Sequence, residues 1–145
     1  LVPRAADLGR TPEEVVTIAS ILQREVRPED YAKVSRVIEN RLAKGMRLQL
    51  DSTVAYALGL RELKLTAAQL RTRSPYNTYR VSGLPPGPVC NPGQAALEAA
   101  LSPAEGDWLY FVTTDPKTGE TKFTSSYEEF LAFKAEFLAN TAGNG

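Results

Sequence analysis

The chain has no histidine and a single cysteine, Cys90, in 145 residues. The first absence excludes Ser-His-Asp and Cys-His nucleophile systems, imidazole general bases and histidine-ligated metal sites. The second leaves no partner for an intrachain disulfide and no cysteine cluster for zinc. A lone cysteine of this kind is most often a small buried apolar residue. Charge of one sign is lacking too. Seventeen basic residues balance seventeen acidic ones, for a formal net charge of zero. The bulk basic footprint of a nucleic-acid or acidic-membrane binder is therefore missing, and no nucleic-acid partner is expected. No apolar run is long enough to span a bilayer, and no signal-peptide pattern opens the chain. Membrane attachment is expected only through an anchor outside this sequence.

With those classes gone, acid–base chemistry falls to Asp, Glu, Tyr or Lys. The length, the 43% hydrophobic residues and the 23% charged residues suit one globular domain with one core. Residues 1–10 read as a leading segment or linker, and residues 140–145 as a frayed tail.

The punctuation of the chain predicts mostly helix. Thr11-Pro12-Glu13-Glu14 is a capping box with proline at the first helical position, opening a helix over 11–26. A second helix runs over 29–44 and stops at Gly45. Met46 to Leu50 reads as extended. Asp51 caps a short helix closed by Gly59, and Thr66 caps another near 67–71. Asn91 to Gln94 opens a helix to about Leu101. Trp108 to Thr114 is a strand, Asp115 to Gly119 a turn, and Thr121 to Thr124 the second arm of a hairpin. Ser125 with Glu128 caps a last helix through about Ala139. The fold class is α+β, mostly helical, with a small β-hairpin.

Two charged residues interrupt apolar stripes. Glu25 falls on the Ile18/Leu22 side of the first helix, at its C-terminal end. Burial and the negative end of the helix dipole both disfavour its charged form and push its pKa toward that of a general acid. A boundary glutamate paired with an arginine would occupy the same place. Arg41 lies beside Val34 and Ile38, and a guanidinium buried there needs a carboxylate or several carbonyls, with Asp51 favoured over Glu25. The remaining carboxylates have structural explanations at helix starts and turns, Asp51 included.

From Arg73 to Gly93 the chain reads RSPYNTYRVSGLPPGPVCNPG. A loop this long without secondary structure is uncommon in a compact domain. Its prolines stiffen it, and its tyrosines and asparagines are the equipment of a sugar cleft. A rigid wrap over the core would use the same residues, and the two roles are compatible.

Five stretches, ASILQRE at 19–25, ENRLAKGMRLQLDSTVAYALG at 39–59, SPYNTYRVSGLPPGPVCNPGQAALEAAL at 74–101, WLYFV at 108–112 and FTSSYEEF at 123–130, carry a resemblance. In this order they resemble the catalytic domain of the endolytic murein transglycosylases, the MltG/YceG-like family. The resemblance covers about residues 11–138. It implies a bacterial lyase that cuts β-1,4 bonds between N-acetylmuramic acid and N-acetylglucosamine, leaving 1,6-anhydro-muramyl ends. It places the catalytic glutamate at Glu25 and cleft residues at Gln49, Asp51, Thr53, Tyr76, Asn77, Thr78 and Tyr79. Arg41 is a further candidate for that cleft, and Gly83 to Pro88 shape it. No metal or cofactor is implied. Glycan strands and cell-wall synthase complexes are the implied partners, and the outer face of the bacterial inner membrane the implied location. The chain departs from the family in having Gln23-Arg24-Glu25 for Glu-Lys-Glu and Ser52 for a frequent proline. It also lacks histidines near Thr121 and Phe130. A non-catalytic glycan-binding or synthase-scaffolding module, and a hydrolytic muramidase using Asp51, are the rival readings.

Overall fold

A computed structural model of the chain describes residues 2–61, 65–115 and 117–142. Its elements are α1 (Val2–Asp7), α2 (Pro12–Glu25), α3 (Tyr31–Lys44), α4 (Asp51–Ala57), α5 (Gln94–Leu101), the strands β1 (Tyr110–Asp115) and β2 (Glu120–Thr124), and α6 (Tyr127–Ala142). Single 3-10 turns occupy Pro28–Asp30 and Gln69–Arg71. The class is α+β, with one antiparallel hairpin pairing Tyr110 with Thr124 and Phe111 with Phe123.

The first helix starts where its capping box lies. The Thr11 hydroxyl accepts from Glu14 N–H at 3.1 Å while the Glu14 carboxylate accepts from Thr11 N–H at 2.9 Å. Its apolar stripe, Val15, Ile18 and Leu22, is fully buried. It packs on α5, whose small Ala96 and Ala100 allow close approach, and on α3 through Val34 and Ile38. Gly45 takes the left-handed conformation, φ 71°, that ends α3.

Several boundaries differ from expectation. Residues 2–7 form a helix, not a linker. Ala5 enters the core, and Arg4 donates to Glu98 and to Ser102 at 3.0 and 2.8 Å. Asn91 does not cap α5. That place is taken by Gly93, whose N–H donates to the side chain of Gln23 on α2 at 3.0 Å. The last helix is capped one residue later than expected, by Ser126 accepting from Glu129 N–H at 3.3 Å. It continues through Ala142, so 140–142 prolong it, while residues 143–145 of the expected tail lie outside the described residues. The strand ladder begins at Tyr110, two residues after Trp108.

A polar row on α3 aims the hairpin. Arg36 donates to the carbonyl of Ala104 at 2.6 Å, Asn40 to those of Gly106 and Trp108, and Arg41 to that of Leu109 at 2.6 Å. Residues 36 and 40 are i,i+4 neighbours on α3, and Arg41 follows on the adjoining flank of the helix. The segment entering β1 is thereby stitched to α3, and the hairpin with α6 behind it stands opposite the end of α2.

Candidate active site

Glu25 is the last residue of α2, and the chain turns extended at Val26. Its Oε1 accepts from the backbone N–H of Ser52, in the first turn of α4, at 2.8 Å. The carboxyl therefore sits between the negative end of one helix and the donor end of another. It lines a cavity of about 570 Å³, within the size range of small-ligand sites. The side chain is half-buried, reached from the cavity and otherwise enclosed by protein. Burial raises its pKa above the ordinary carboxyl value, and the negative charge of Asp51 raises it further. The Ser52 hydrogen bond and the Arg24 guanidinium oppose this and do not cancel it. A carboxyl so placed holds its proton to higher pH than a free carboxyl and can deliver it to a group in the cavity.

Asp51 shares the cavity. It is the first residue of α4 and not its cap, because its carboxylate accepts from the hydroxyl of Tyr79. Burial and that donation both push the Tyr79 phenol up, so it stays a hydrogen-bond donor. Asp51 is thus held as a fixed negative group beside Glu25.

Arg41 is buried and lines the same cavity. Its partners are carbonyls. It donates to Leu109 at 2.6 Å and to Leu48, and its guanidinium lies 5.6 Å from the Tyr110 ring centroid. No ion pair joins it to Asp51 or Glu25 among the described residues. Of the two kinds of partner expected, a carboxylate or several carbonyls, the structure supplies carbonyls, from two segments that flank the site. Leaving Glu25 without a clamped arginine preserves its raised pKa, although Arg41 remains near enough to feel the Glu25 charge.

Gln49 is the one non-glycine among the described residues with positive φ, 51°. Its N–H donates to the carbonyl of Thr78 at 3.1 Å, and its exposed side chain lines the cavity. A left-handed glutamine costs about 1–2 kcal/mol and persists only where the surroundings impose it.

The remaining expected cleft residues lie elsewhere. Thr53, Asn77 and Thr78 are fully buried and none lines the cavity. Asn77 donates to the carbonyls of Leu70 and Thr72 at 2.9 and 2.8 Å and accepts from Tyr79 N–H at 3.0 Å. The Thr78 hydroxyl accepts from Leu50 N–H at 2.8 Å and meets that of Thr53 at 2.9 Å. Buried and with their side-chain polar atoms engaged, these three lie away from the cavity and pin the loop carrying Tyr79. Tyr76 packs on Tyr56, ring centroids 4.8 Å apart, and Gly83 to Pro88 do not line the cavity. Most of the proline loop is therefore a wrap. Val89 N–H, for instance, donates to Ser20 on α2 at 2.9 Å.

The far wall was absent from the sequence reading. It consists of Tyr110 to Thr113 on β1 and Tyr127, Phe130, Lys134 and Phe137 on α6. Phe130 stacks on Tyr110 at 5.1 Å between centroids, with Tyr127 against both. The spacing 127, 130, 134, 137 is a single helical face, and that periodicity was the available signal.

Residues 2–136 match the YceG-like family. The chain belongs to the YceG-like family. Its YceG-like relatives include the endolytic murein transglycosylase of Bacillus subtilis, 38% identical over 128 residues, 88% of this chain and 35% of that protein. The endolytic murein transglycosylase of a Streptococcus pneumoniae strain is 34% identical over 125 residues, 82% of this chain and 22% of that one. A crystal structure of a yceG-like protein from Listeria monocytogenes superposes with a TM-score of 0.84 at 41% identity, over 90% of this chain and 42% of that chain. The chain thus spans less than half the length of these YceG-like proteins. No described helix is long and apolar enough to cross a membrane.

Proposed function

We propose that this domain is a murein lytic transglycosylase in which Glu25 is the single acid and base. The observation that carries the reading is Glu25 itself, a carboxyl of raised pKa on the wall of a cavity large enough for sugar units. Protonated Glu25 donates to the glycosidic oxygen between N-acetylmuramic acid and N-acetylglucosamine. The C1–O bond breaks, its electron pair leaves with that oxygen, and an oxocarbenium-like centre forms on the muramyl sugar. The Glu25 carboxylate then takes the proton of the same sugar's C6 hydroxyl, whose oxygen closes on C1. Glu25 ends protonated, as it began. The nucleophile is intramolecular, so its effective molarity replaces an activated water. Asp51, held by Tyr79, supplies fixed negative charge for the cationic centre. Gln49 and Tyr79 orient the strand from one wall and the Tyr110/Phe130 platform from the other.

Two features support this reading over its rivals. Arg41 donates to the carbonyls of Leu48 and Leu109, so the Glu25–Arg41 pair that a purely structural glutamate would need is not made. The Asp51 carboxylate is occupied by a hydroxyl donor, which suits a stabiliser better than a base activating water. Glycan strands are the substrate in this reading, cell-wall synthases the partners, and the extracytoplasmic face of the membrane the place of action, with any anchor outside this sequence.

The test is a digest of purified glycan strands analysed by mass. Products that sum to the mass of the substrate, with 1,6-anhydro ends, support the lytic reaction. Products heavier by one water indicate hydrolysis, and an unchanged substrate indicates a binding module.

A further inference from the structure

The far wall of the cavity carries an ammonium that no described residue neutralises. Lys134 lines the cavity together with Glu25 and Asp51, and its side chain is exposed. Its Nζ lies 5.4 Å from the centroid of the Phe130 ring, and among the described residues it makes neither hydrogen bond nor ion pair. Two acids of α6 are engaged elsewhere. Glu136 pairs with Lys122 at 2.9 Å and Glu129 accepts from the Thr124 hydroxyl. The other charges of the cavity are engaged as well. Arg41 donates to carbonyls, Asp51 accepts from Tyr79 and Glu25 accepts from Ser52. Lys134 is thus the cavity's available cation, seated over an aromatic ring that favours keeping a positive charge there.

We propose that Lys134 binds a carboxylate of the peptide stem carried by a muramyl sugar, so that the site reads a strand by its stems as well as by its sugars. The inference rests on the glycan reading above and goes beyond it. The backbone of an N-acetylated glycan is neutral and gives an ammonium only hydroxyls and amides. The carboxylates of such a strand hang from the muramyl lactyl groups, as the free acids of the stem peptides. A cation on the cavity wall across from the cleaving carboxyl, outside the groups that set the Glu25 charge, stands where a stem on or next to the reacting sugar would pass. An exposed pair of this sort contributes a modest gain that salt weakens.

The experiment measures binding of soluble, uncross-linked glycan tetrasaccharides with and without stem peptides to the 145-residue chain carrying Glu25→Gln, so that cleavage does not intervene. The stem-bearing fragment is expected to bind about fivefold more tightly at low ionic strength, with the advantage shrinking in high salt. Adding Lys134→Ala should erase that difference, Lys134→Arg should keep it, and Lys134→Glu should invert it. Equal affinity for the two fragments, or a preference that survives Lys134→Ala, overturns the proposal. Because the readout is binding, it is separate from the lytic reading. A wild-type chain that releases no anhydro ends sinks the chemistry while the stem preference is still measured.

Discussion

The backbone N–H of Ser52 donates to Oε1 of Glu25 at 2.8 Å and so joins the last residue of α2 to the first turn of α4. One carboxyl oxygen is fixed by this bond. The same contact brings Asp51, one residue earlier, into the cavity beside Glu25. A hydrogen bond that lowers the Glu25 pKa thus comes with a like charge that raises it, and burial decides the sign.

Glu25→Gln should abolish cleavage, with a loss of about a hundredfold or more, and leave the fold intact. The amide oxygen can still accept from Ser52. Its stability should depend on pH in a defined direction. The folded wild-type protein binds the Glu25 proton more tightly than the unfolded chain does. Its stability therefore falls as pH rises from the ordinary carboxyl value of 4.5 through the raised folded value. The glutamine variant lacks that loss. It should melt higher than wild type near neutrality, by about 2–4 °C per kcal/mol recovered, and the gap should close in acid below 4.5. Thermal melts across that range, run beside a turnover assay, check both parts. Near-wild-type turnover by the folded variant would remove Glu25 from the chemistry.

Catalysis by a protonated Glu25 predicts a rate that declines as pH rises through its raised pKa. Asp51→Asn removes a like charge that raises it. The declining limb of the pH–rate profile should move toward acid, and turnover near neutrality should drop with it. A limb that keeps its position in Asp51→Asn would mean that another group sets it.

Arg41→Ala should destabilise the chain by about 3 kcal/mol, at about 1.5 kcal/mol for each of its two charge-assisted bonds to the carbonyls of Leu48 and Leu109. Those carbonyls flank Gln49 and Tyr110, so activity should fall as well. Urea unfolding measures the loss. A variant that unfolds at the wild-type midpoint would contradict the role of the guanidinium as the tie between the two segments.

Gln49→Gly should relieve the left-handed backbone, φ 51°, at a residue whose exposed side chain faces the cavity. Glycine returns some entropy cost, so stability should hold or rise by up to about 1 kcal/mol. Strand affinity should fall, because a polar group of the cleft is gone. Unfolding midpoints and binding to the Glu25→Gln background separate the two effects. A clear loss of stability in Gln49→Gly would mean that the side chain supports the fold.

Features encoded within a few residues were legible in the sequence. The Thr11/Glu14 capping box, the stop at Gly45, the hairpin and the place of Glu25 on its helix all lie within one or two turns of chain. Features settled by distant partners were not. Asp51 has the chemistry of a cap, but Tyr79 claims its carboxylate from 28 residues away. Asn91 has it too, but Gln23 on another helix holds the start of α5. Adjacent Ser125 and Ser126 offer nearly the same capping pattern, and the Thr124/Glu129 contact favours the second. Asn77, Thr53 and Thr78 are polar residues in a polar loop, and only the packing shows them to be internal ties. The Tyr110/Phe130 wall needed the most distant information, since the α3 row at 36, 40 and 41 delivers it.

That delivery has a mechanical consequence. β1, β2 and α6 pack chiefly on one another, and no described residue of α6 belongs to the buried core. The hairpin–helix unit therefore forms a cooperative block that can open at a lower free energy than the α2/α3/α5 core. Amide exchange is expected to be faster across 110–137 than across α2. Opening of the block would leave Glu25 seated at the end of α2, while the trough it lines would lose a side. On the proposed reading, a long strand would then be laid in by its middle instead of being threaded from an end.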